Sequence, residues 1–449
     1  MTALVEPTAT SPWRGRHGRT TVGVFSLAFL FAFEALAVAT VMPDVADDLD
    51  GLRWYAVAFA APLAASVVAL AAAGAEVDRR GPGPALRRGL LIFCAGVVIA
   101  GLAPSMPVFL LGRLVHGYGG GVLGVALYVV IAQAYPEDLR PRVFAVLTTA
   151  WVLPALVGPV LAAQVAAVLG WRWVFLGVPV VAVAAWLLVA DAPSRPGVDR
   201  SEPGRLPVAL LAAGGVLLVS LAGQRTLPAW PVLVVAGLAA IAAGARRLLP
   251  PGTWRMGPGL PAVLGSRAAI GTAFAAAEVY VPLLLTLQRD LSLAQAGWVL
   301  TTGAVTWSAG AVLAARWRLL ADQPTRVRLG AVLLGGGIGV FALVAAPGVP
   351  LVVPVLGWAA AGLGIGMAFS TLSVLALATA RAGEEGRTSS ALQLNDYLAN
   401  SAGLALGGVV FAGFAVTAPV AAATGLVLAA AVTGALALVP ATRLGRAGG

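Results

Sequence analysis

The segment Gly112-Arg113-Leu114-Val115-His116-Gly117-Tyr118-Gly119-Gly120-Gly121 returns 245 residues later as Gly357-Trp358-Ala359-Ala360-Ala361-Gly362-Leu363-Gly364-Ile365-Gly366. Four glycines recur at one offset. The offset persists downstream, where Arg142 matches Arg387, Gly158 matches Gly403, and Ala162-Ala163 match Gly407-Gly408. Nearer the start it is 244, pairing Glu34 with Glu278 and Trp54 with Trp298. Matches spread over several segments at a fixed spacing mark an internal duplication. The chain is therefore expected to be built from two similar halves running in the same direction.

Composition says what the halves are made of. Of 449 residues, 59% are hydrophobic and 11% charged, and the mean hydropathy is +0.92. A soluble domain carries roughly 25% charged residues. This chain cannot coat two or three soluble domains with polar surface. An ordinary cytosolic enzyme, a disordered protein and a secreted disulfide scaffold are excluded. All 29 basic residues are Arg, against 19 acids, for a net charge of +10. With the heavy Ala, Gly and Val usage, the absence of Lys points to a GC-rich bacterial genome. Such a basic balance could suit nucleic acid, but Arg also gathers at the cytoplasmic ends of membrane helices. The second reading fits a chain this apolar, so no nucleic-acid partner is expected. The single Cys94 permits neither an intramolecular disulfide nor a zinc cluster.

A membrane helix needs about 20 mostly apolar residues. Apolar runs divide the chain into about 14 such spans. A polar stretch, 191–205, follows the sixth. Spans one to six then repeat as spans nine to fourteen, and spans seven and eight, about 206–248, have no counterpart. The expected fold is all-α and polytopic: two six-helix bundles plus two extra helices. The expected division is a first bundle over 1–190, a linker with two additional helices over 191–261, and a second bundle over 262–449. Arg-rich loops alternate with short Arg-poor ones that carry Asp44, Asp47, Asp48 and Asp50. By the positive-inside rule both termini are expected in the cytoplasm, in a bacterial plasma (inner) membrane. Ala35-Leu36-Ala37 imitates a signal-cleavage site, but Glu34 interrupts the apolar region and removal would break the alternation.

A charge at the centre of a membrane span costs about 2.5–3.5 kcal/mol on insertion scales. Four in-span charges ask for an explanation: Glu34, Arg113, Glu278 and Asp396. A carboxyl group taken out of water binds a proton more readily, which is what a proton carrier requires. Glu34 is expected to handle a proton or a cationic substrate, or else to be held permanently by an Arg or by hydrogen bonds. Glu278, nearly its symmetry mate, is expected to face it across a central cavity. It could be a second proton site, a cation contact or a structural partner. Arg113 would favour an ionised carboxylate nearby, or serve a structural ion pair. His116, one turn along, could relay protons or be simply hydrogen-bonded.

Asp396 and Asn400 stand at i and i+4, with Gln393 at i−3, so they share one helix face. The symmetry-related stripe holds Ala150, Trp151 and Pro154. Substrate contact is the favoured role for Asp396, Asn400, Gln393 and Trp151; interhelical hydrogen bonding is the alternative. A Walker-type phosphate loop requires Lys, and the chain has none. Neither a nucleophile–base set nor a metal cluster is visible among its two His and one Cys. The chain is not expected to be an enzyme.

The motifs resemble the major facilitator superfamily, in particular its 14-span drug:proton antiporter branch. Gly74-Ala-Glu-Val-Asp78-Arg79-Arg80-Gly81 resembles that family's loop after span two. Gly112-Arg113 to Gly119 resembles its span-four motif. Pro154-Ala-Leu-Val-Gly158-Pro159-Val-Leu-Ala162-Ala163 resembles the antiporter signature, followed by Gly170-Trp171-Arg172-Trp173. The sequence departs from the pattern at Pro154 and Ala162-Ala163, where glycines are usual, at Glu34, where Asp is usual, and at Glu76, where a small or apolar residue is usual. The resemblance implies a secondary transporter that exchanges amphipathic, hydrophobic or cationic compounds for protons by rocking two bundles around a midplane site. It implies no cofactor besides a proton gradient, small-molecule and lipid partners, and a monomer. It assigns proton coupling to Glu34, Glu278 and Arg113, and conformational gating to Asp78, Arg79, Gly158 and Pro159. A lipid or glycolipid exporter, an uptake symporter, and a non-transporting scaffold or sensor are the other readings.

Overall fold

The structure is a computed structural model that describes residues 11–13, 15–136, 139–196, 204–316, 322–379 and 385–444. Among these, regular structure is helical and no strand occurs. The first six spans are α1 (Gly15–Asp48), α2 (Val57–Arg80), α3 (Pro82–Gly101), α4 (Met106–Ala134), α5 (Arg140–Leu169) and the pair α6 (Arg172–Leu176) and α7 (Val178–Val189). The two without counterpart are α8 (Arg205–Ala222) and α9 (Trp230–Leu248). The last six are α10 (Leu260–Arg289), α11 (Leu293–Arg316), α12 (Gln323–Phe341), α13 (Val352–Ala378), α14 (Glu385–Phe414) and α15 (Pro419–Leu436), which α16 (Leu438–Ala441) extends. Thirteen of these spans are long and apolar enough to cross a membrane. The fourteenth, α5, runs for 30 residues with an apolar described part, Leu153–Leu169.

The glycine strip explains why the halves fold alike. On α4, Gly112 and Gly119 are pressed against α3, at Ala100 and Phe93. Gly117 and Gly121 are pressed against α2, at Pro62 and at Ser66 and Ala69. The copies divide the same way: Gly357 and Gly364 face α12, while Gly362 and Gly366 face α11 at Gly303 and Trp307. A Cβ at Gly357 would lie 2.7 Å from the Gly337 carbonyl oxygen. In lipid, such backbone-close packing of small residues supplies much of the attraction between helices. Ser66 bridges this contact, its hydroxyl donating to the Pro62 and Gly117 carbonyls at 2.9 Å each. The carbonyl that Pro62 leaves without a helical donor, that of Ala58, accepts from Arg113 Nε at 3.0 Å.

The two extra helices are not detached. α8 packs on both α2 and α14, one from each half. Val67, Ala209, Ala212, Ala245, Leu248, Leu394 and Leu398 form the buried apolar seam between α2, α8, α9 and α14. The halves also meet directly. Thr301 of α11 donates to the Leu156 carbonyl of α5 at 3.4 Å. At the Arg-poor end, the Tyr55 ring lies 6.1 Å from both Tyr280 and Phe411. All three side chains are buried. At the Arg-rich end, the chain after α7 clips onto the first half. The Gln133 amide exchanges two 2.8 Å hydrogen bonds with the Arg195 backbone, and the Ser194 hydroxyl accepts from Gly83 N–H at 2.9 Å.

Candidate functional site

Among the described residues, two clusters of buried charge lie inside the spans, one per half. In the first half, Glu34 projects from α1 and Arg113 and His116 project from α4. Arg113 and His116 are three residues apart, so both reach the same neighbouring helix. Glu34 is 2% exposed and Arg113 3%. The Arg113 guanidinium ion-pairs with Glu34 Oε1, and its Nε donates to the Ala58 carbonyl at 3.0 Å. His116 Nε2 stands 2.7 Å from Glu34 Oε2, and the imidazole Nδ1 is 3.4 Å from Arg113 Nη1. The His116 ring also rests on Phe93, centroids 5.0 Å apart. One carboxylate thus has a guanidinium bound at Oε1 and an imidazole nitrogen close to Oε2, the latter two atoms lacking hydrogen-bond geometry, in a dry site.

This arrangement brings together three residues singled out from the sequence, and it corrects one expectation. Glu34 does not face Glu278 across an open cavity. It is sealed behind Arg113 and His116, because a charge this deep stays ionised only when paired. Glu278 of α10 differs. It is half-buried and, among the described residues, has no hydrogen-bond or ion-pair partner. The position matching Arg113 is Trp358, whose ring stacks on Phe274 at 4.9 Å instead of supplying a cation.

The second cluster centres on Arg267, an in-span charge additional to the four recognised from the sequence. Its Nε donates to both Asp396 oxygens at 2.9 Å, and Nη2 pairs with Oδ2 at 2.9 Å. Nη1 donates to Ser373 Oγ at 2.6 Å, and the guanidinium lies 3.6 Å from the Phe369 ring centroid. Asn395 Nδ2 donates to the Leu264 carbonyl at 3.1 Å, and Thr272 Oγ1 donates to Asn400 Oδ1 at 3.3 Å. The polar stripe of α14 therefore sews that helix to α10. Gln393 is half-buried and makes no hydrogen bond among the described residues. Trp151 lies in α5, but its side chain is outside the described residues.

The motif residues of the resemblance sit at helix junctions. Gly158 packs on Phe33 of α1, where a Cβ would meet the ring at 3.4 Å. The Pro159 carbonyl faces Gly297 of α11, across the boundary between halves. The stretch expected as a loop after span two is helical as far as Arg80, and in the last turn of α2 the Arg79 Nε donates to the Ala75 carbonyl at 3.1 Å. The ion pair from α2 to α3 is made by Glu76, with Arg88. That explains why an acid occupies a place where the resemblance expects a small or apolar residue. Asp78 lies in the last turn of the same helix, one residue before Arg79. Among the described residues, no group of three or more metal-ligating side chains comes together.

Comparison with known proteins decides the family. The model of the Major Facilitator Superfamily matches residues 24–404. The chain belongs to the Major Facilitator Superfamily. A probable multidrug-efflux transporter of Mycobacterium tuberculosis is 27% identical over 458 aligned positions, covering 96% of each chain. A multidrug efflux pump of Staphylococcus aureus is 24% identical over 171 positions, 38% of each chain. Among solved structures, a POT peptide transporter has a TM-score of 0.71 at 18% identity, covering 98% of both chains. A D-xylose–proton symporter has a TM-score of 0.66 at 15% identity, covering 94% of this chain and 97% of its own. At these identities the likeness is one of fold. Major facilitator members are transporters and not enzymes, which places this chain among proteins that move small molecules across membranes.

Proposed function

We propose that this transporter exports amphipathic, hydrophobic or cationic compounds in exchange for protons, by alternating access. The observation that carries the reading is the dry Glu34–Arg113–His116 cluster. A carboxylate paired this deeply exchanges its proton only when water reaches it, so protonation becomes tied to conformation. Arg113 would favour the ionised form and so promote release. His116 would pass the proton, its ring nitrogen already 2.7 Å from the carboxylate. Relatives named as multidrug-efflux proteins support export. In this reading Glu278, with no cation beside it, is a second proton site or the contact for a cationic substrate. Asp396, Asn400, Gln393 and Trp151 then line the substrate path, and Asp78, Arg79, Gly158 and Pro159 serve the conformational change. The chain works as a monomer in a bacterial plasma membrane with both termini cytoplasmic. It is driven by the proton gradient without a cofactor.

The test is substrate flux in proteoliposomes under an imposed pH gradient. Glu34→Gln should lower gradient-driven flux more than tenfold while the protein still melts cooperatively. Flux that ignores the gradient, or that survives Glu34→Gln unchanged, sinks the proton role. A second reading, export of a lipid or glycolipid, is favoured by one feature. A groove of about 590 Å³ runs between α1, α5 and the α6–α7 pair, lined by Phe25, Phe29, Phe33, Leu161, Val165 and Trp173 among others. A lipid that co-purifies and is displaced by Val165→Trp would bring that reading forward.

A further inference from the structure

The helices without a counterpart end in a tip that touches both halves. α8 and α9 are joined at the Arg-poor end by residues 223–229. Gly223 is buried against α14, where a Cβ would lie 2.9 Å from the Val409 Cα. The buried Gln224 donates through Nε2 to the Arg53 carbonyl at 3.3 Å, in the link between α1 and α2. Arg225 reaches back over α14, and any side chain at Gly413 would run into its guanidinium. The same guanidinium stacks on Trp230 at 4.9 Å. Arg225 adopts φ +57° to do this, a left-handed backbone that a non-glycine residue takes only at a cost. Strain of that kind persists where surrounding contacts over-determine it.

Directly beneath lies the contact between halves. Tyr55 stacks on Tyr280, Phe411 meets both rings at a tilt, and Ala56 meets the Gly408 position, where a Cβ would lie 3.1 Å from the Ala56 Cβ. The Tyr55 and Tyr280 hydroxyls are buried without hydrogen-bond partners. Closing them in costs free energy that some other contact must offset. The tip is placed to supply it. Arg53 belongs to the first half, while Val409 and Gly413 belong to the second, and the tip grips all three.

We propose that the 223–225 tip is a clasp that holds the Arg-poor end of the transporter closed, and that Gln224 and Arg225 set the balance between closed and open. This rests on the alternating-access reading, since a clasp has meaning only if that end opens. Separation of the halves carries Arg53 away from Gly413, and the tip cannot follow both. One grip must release before the tyrosines part.

The test reads conformation and not transport, so it fails or succeeds independently of proton coupling. Ala56→Cys in a Cys94→Ser background is exposed to a hydrophilic maleimide in nanodiscs. Arg225→Gly is the decisive variant. Glycine suits φ +57°, so the backbone strain is relieved while the guanidinium is lost. Labelling at position 56 should rise at least fivefold in Arg225→Gly and in Gln224→Ala, with an unchanged or higher Tm for Arg225→Gly. Labelling of Ser194→Cys, at the opposite end, should not rise. Gly413→Ala, which pushes the guanidinium aside, should give a smaller increase of the same sign. Unchanged labelling at position 56 in folded Arg225→Gly and Gln224→Ala overturns the clasp. Increased labelling at both ends points to general loosening and overturns it as well.

Discussion

The two halves share a glycine scaffold but treat their buried acids in opposite ways. In the first, Glu34 is sealed between Arg113 and His116. In the second, the matching Glu278 has no cation beside it among the described residues, because Trp358 stands where Arg113 would and stacks on Phe274. The second half instead places its guanidinium, Arg267, on α10 itself and pairs it with Asp396 of α14. The first pair therefore ties the copy-one helices α1 and α4, while the second ties the copies of α1 and α5. Duplication preserved the backbone packing and left the charges free to diverge. Backbone contacts at Gly357 and Gly364 tolerate no side chain, whereas a buried charge needs only some partner within reach.

That contrast can be broken by substitution. The largest effect belongs to Arg113→Ala, which strands Glu34 in a dry site. Removing one partner of a buried pair costs about 3–5 kcal/mol. The Tm in detergent should fall steeply, and Glu34→Gln added to it should recover much of the loss without restoring gradient-driven flux. Next comes Arg267→Leu. Its pair is slightly more accessible, with side chains 10% and 19% exposed, so a loss of about 3 kcal/mol is expected, at the lower edge of that range. A double-mutant cycle with Asp396→Leu should give a coupling of about 1–3 kcal/mol. Coupling indistinguishable from zero would mean that Asp396 is not committed to Arg267 and is available to substrate. Glu278→Gln should leave Tm unchanged or raise it slightly, because the acid has no ion pair to lose. A fall as large as that of Arg113→Ala would erase the distinction between the halves. His116→Asn should cost less stability than Arg113→Ala or Arg267→Leu, yet it should alter the pH profile of flux while leaving gradient dependence in place.

Much of this was legible in the sequence, for physical reasons. The repeat reported the helix packing because close backbone approach admits almost only glycine. Glu34 and Arg113 stood out because charge in an apolar run is costly. Arg267 escaped notice because it lies five residues into its apolar run, where an Arg ordinarily snorkels to the surface. Only tertiary packing shows it turned inward, onto Phe369 and Asp396. The stripe on α14 was visible, but its engagement with α10 was not, since periodicity gives a face and not the neighbour opposite it. The repeat already set Trp358 opposite Arg113, but it could not tell that Arg113 pairs with Glu34, because a shared offset reports no contact between α1 and α4. The strained tip after α8 carries no motif at all.

The glycine contacts that fasten α4 to α2 and α3 also limit how the first half can move. Helices interlocked through their backbones slide poorly and tilt as one body. In α1, 34 residues long, Glu34 lies within three residues of the midpoint. At 1.5 Å per residue that helix is about 50 Å long, so a tilt of roughly ten degrees about its middle swings each end by about 4 Å. Glu34 would barely shift. The charge cluster sits close to a fulcrum, and the ends of the helices carry the displacement. What a tilt changes at Glu34 is its access to water, with its distance to Arg113 kept.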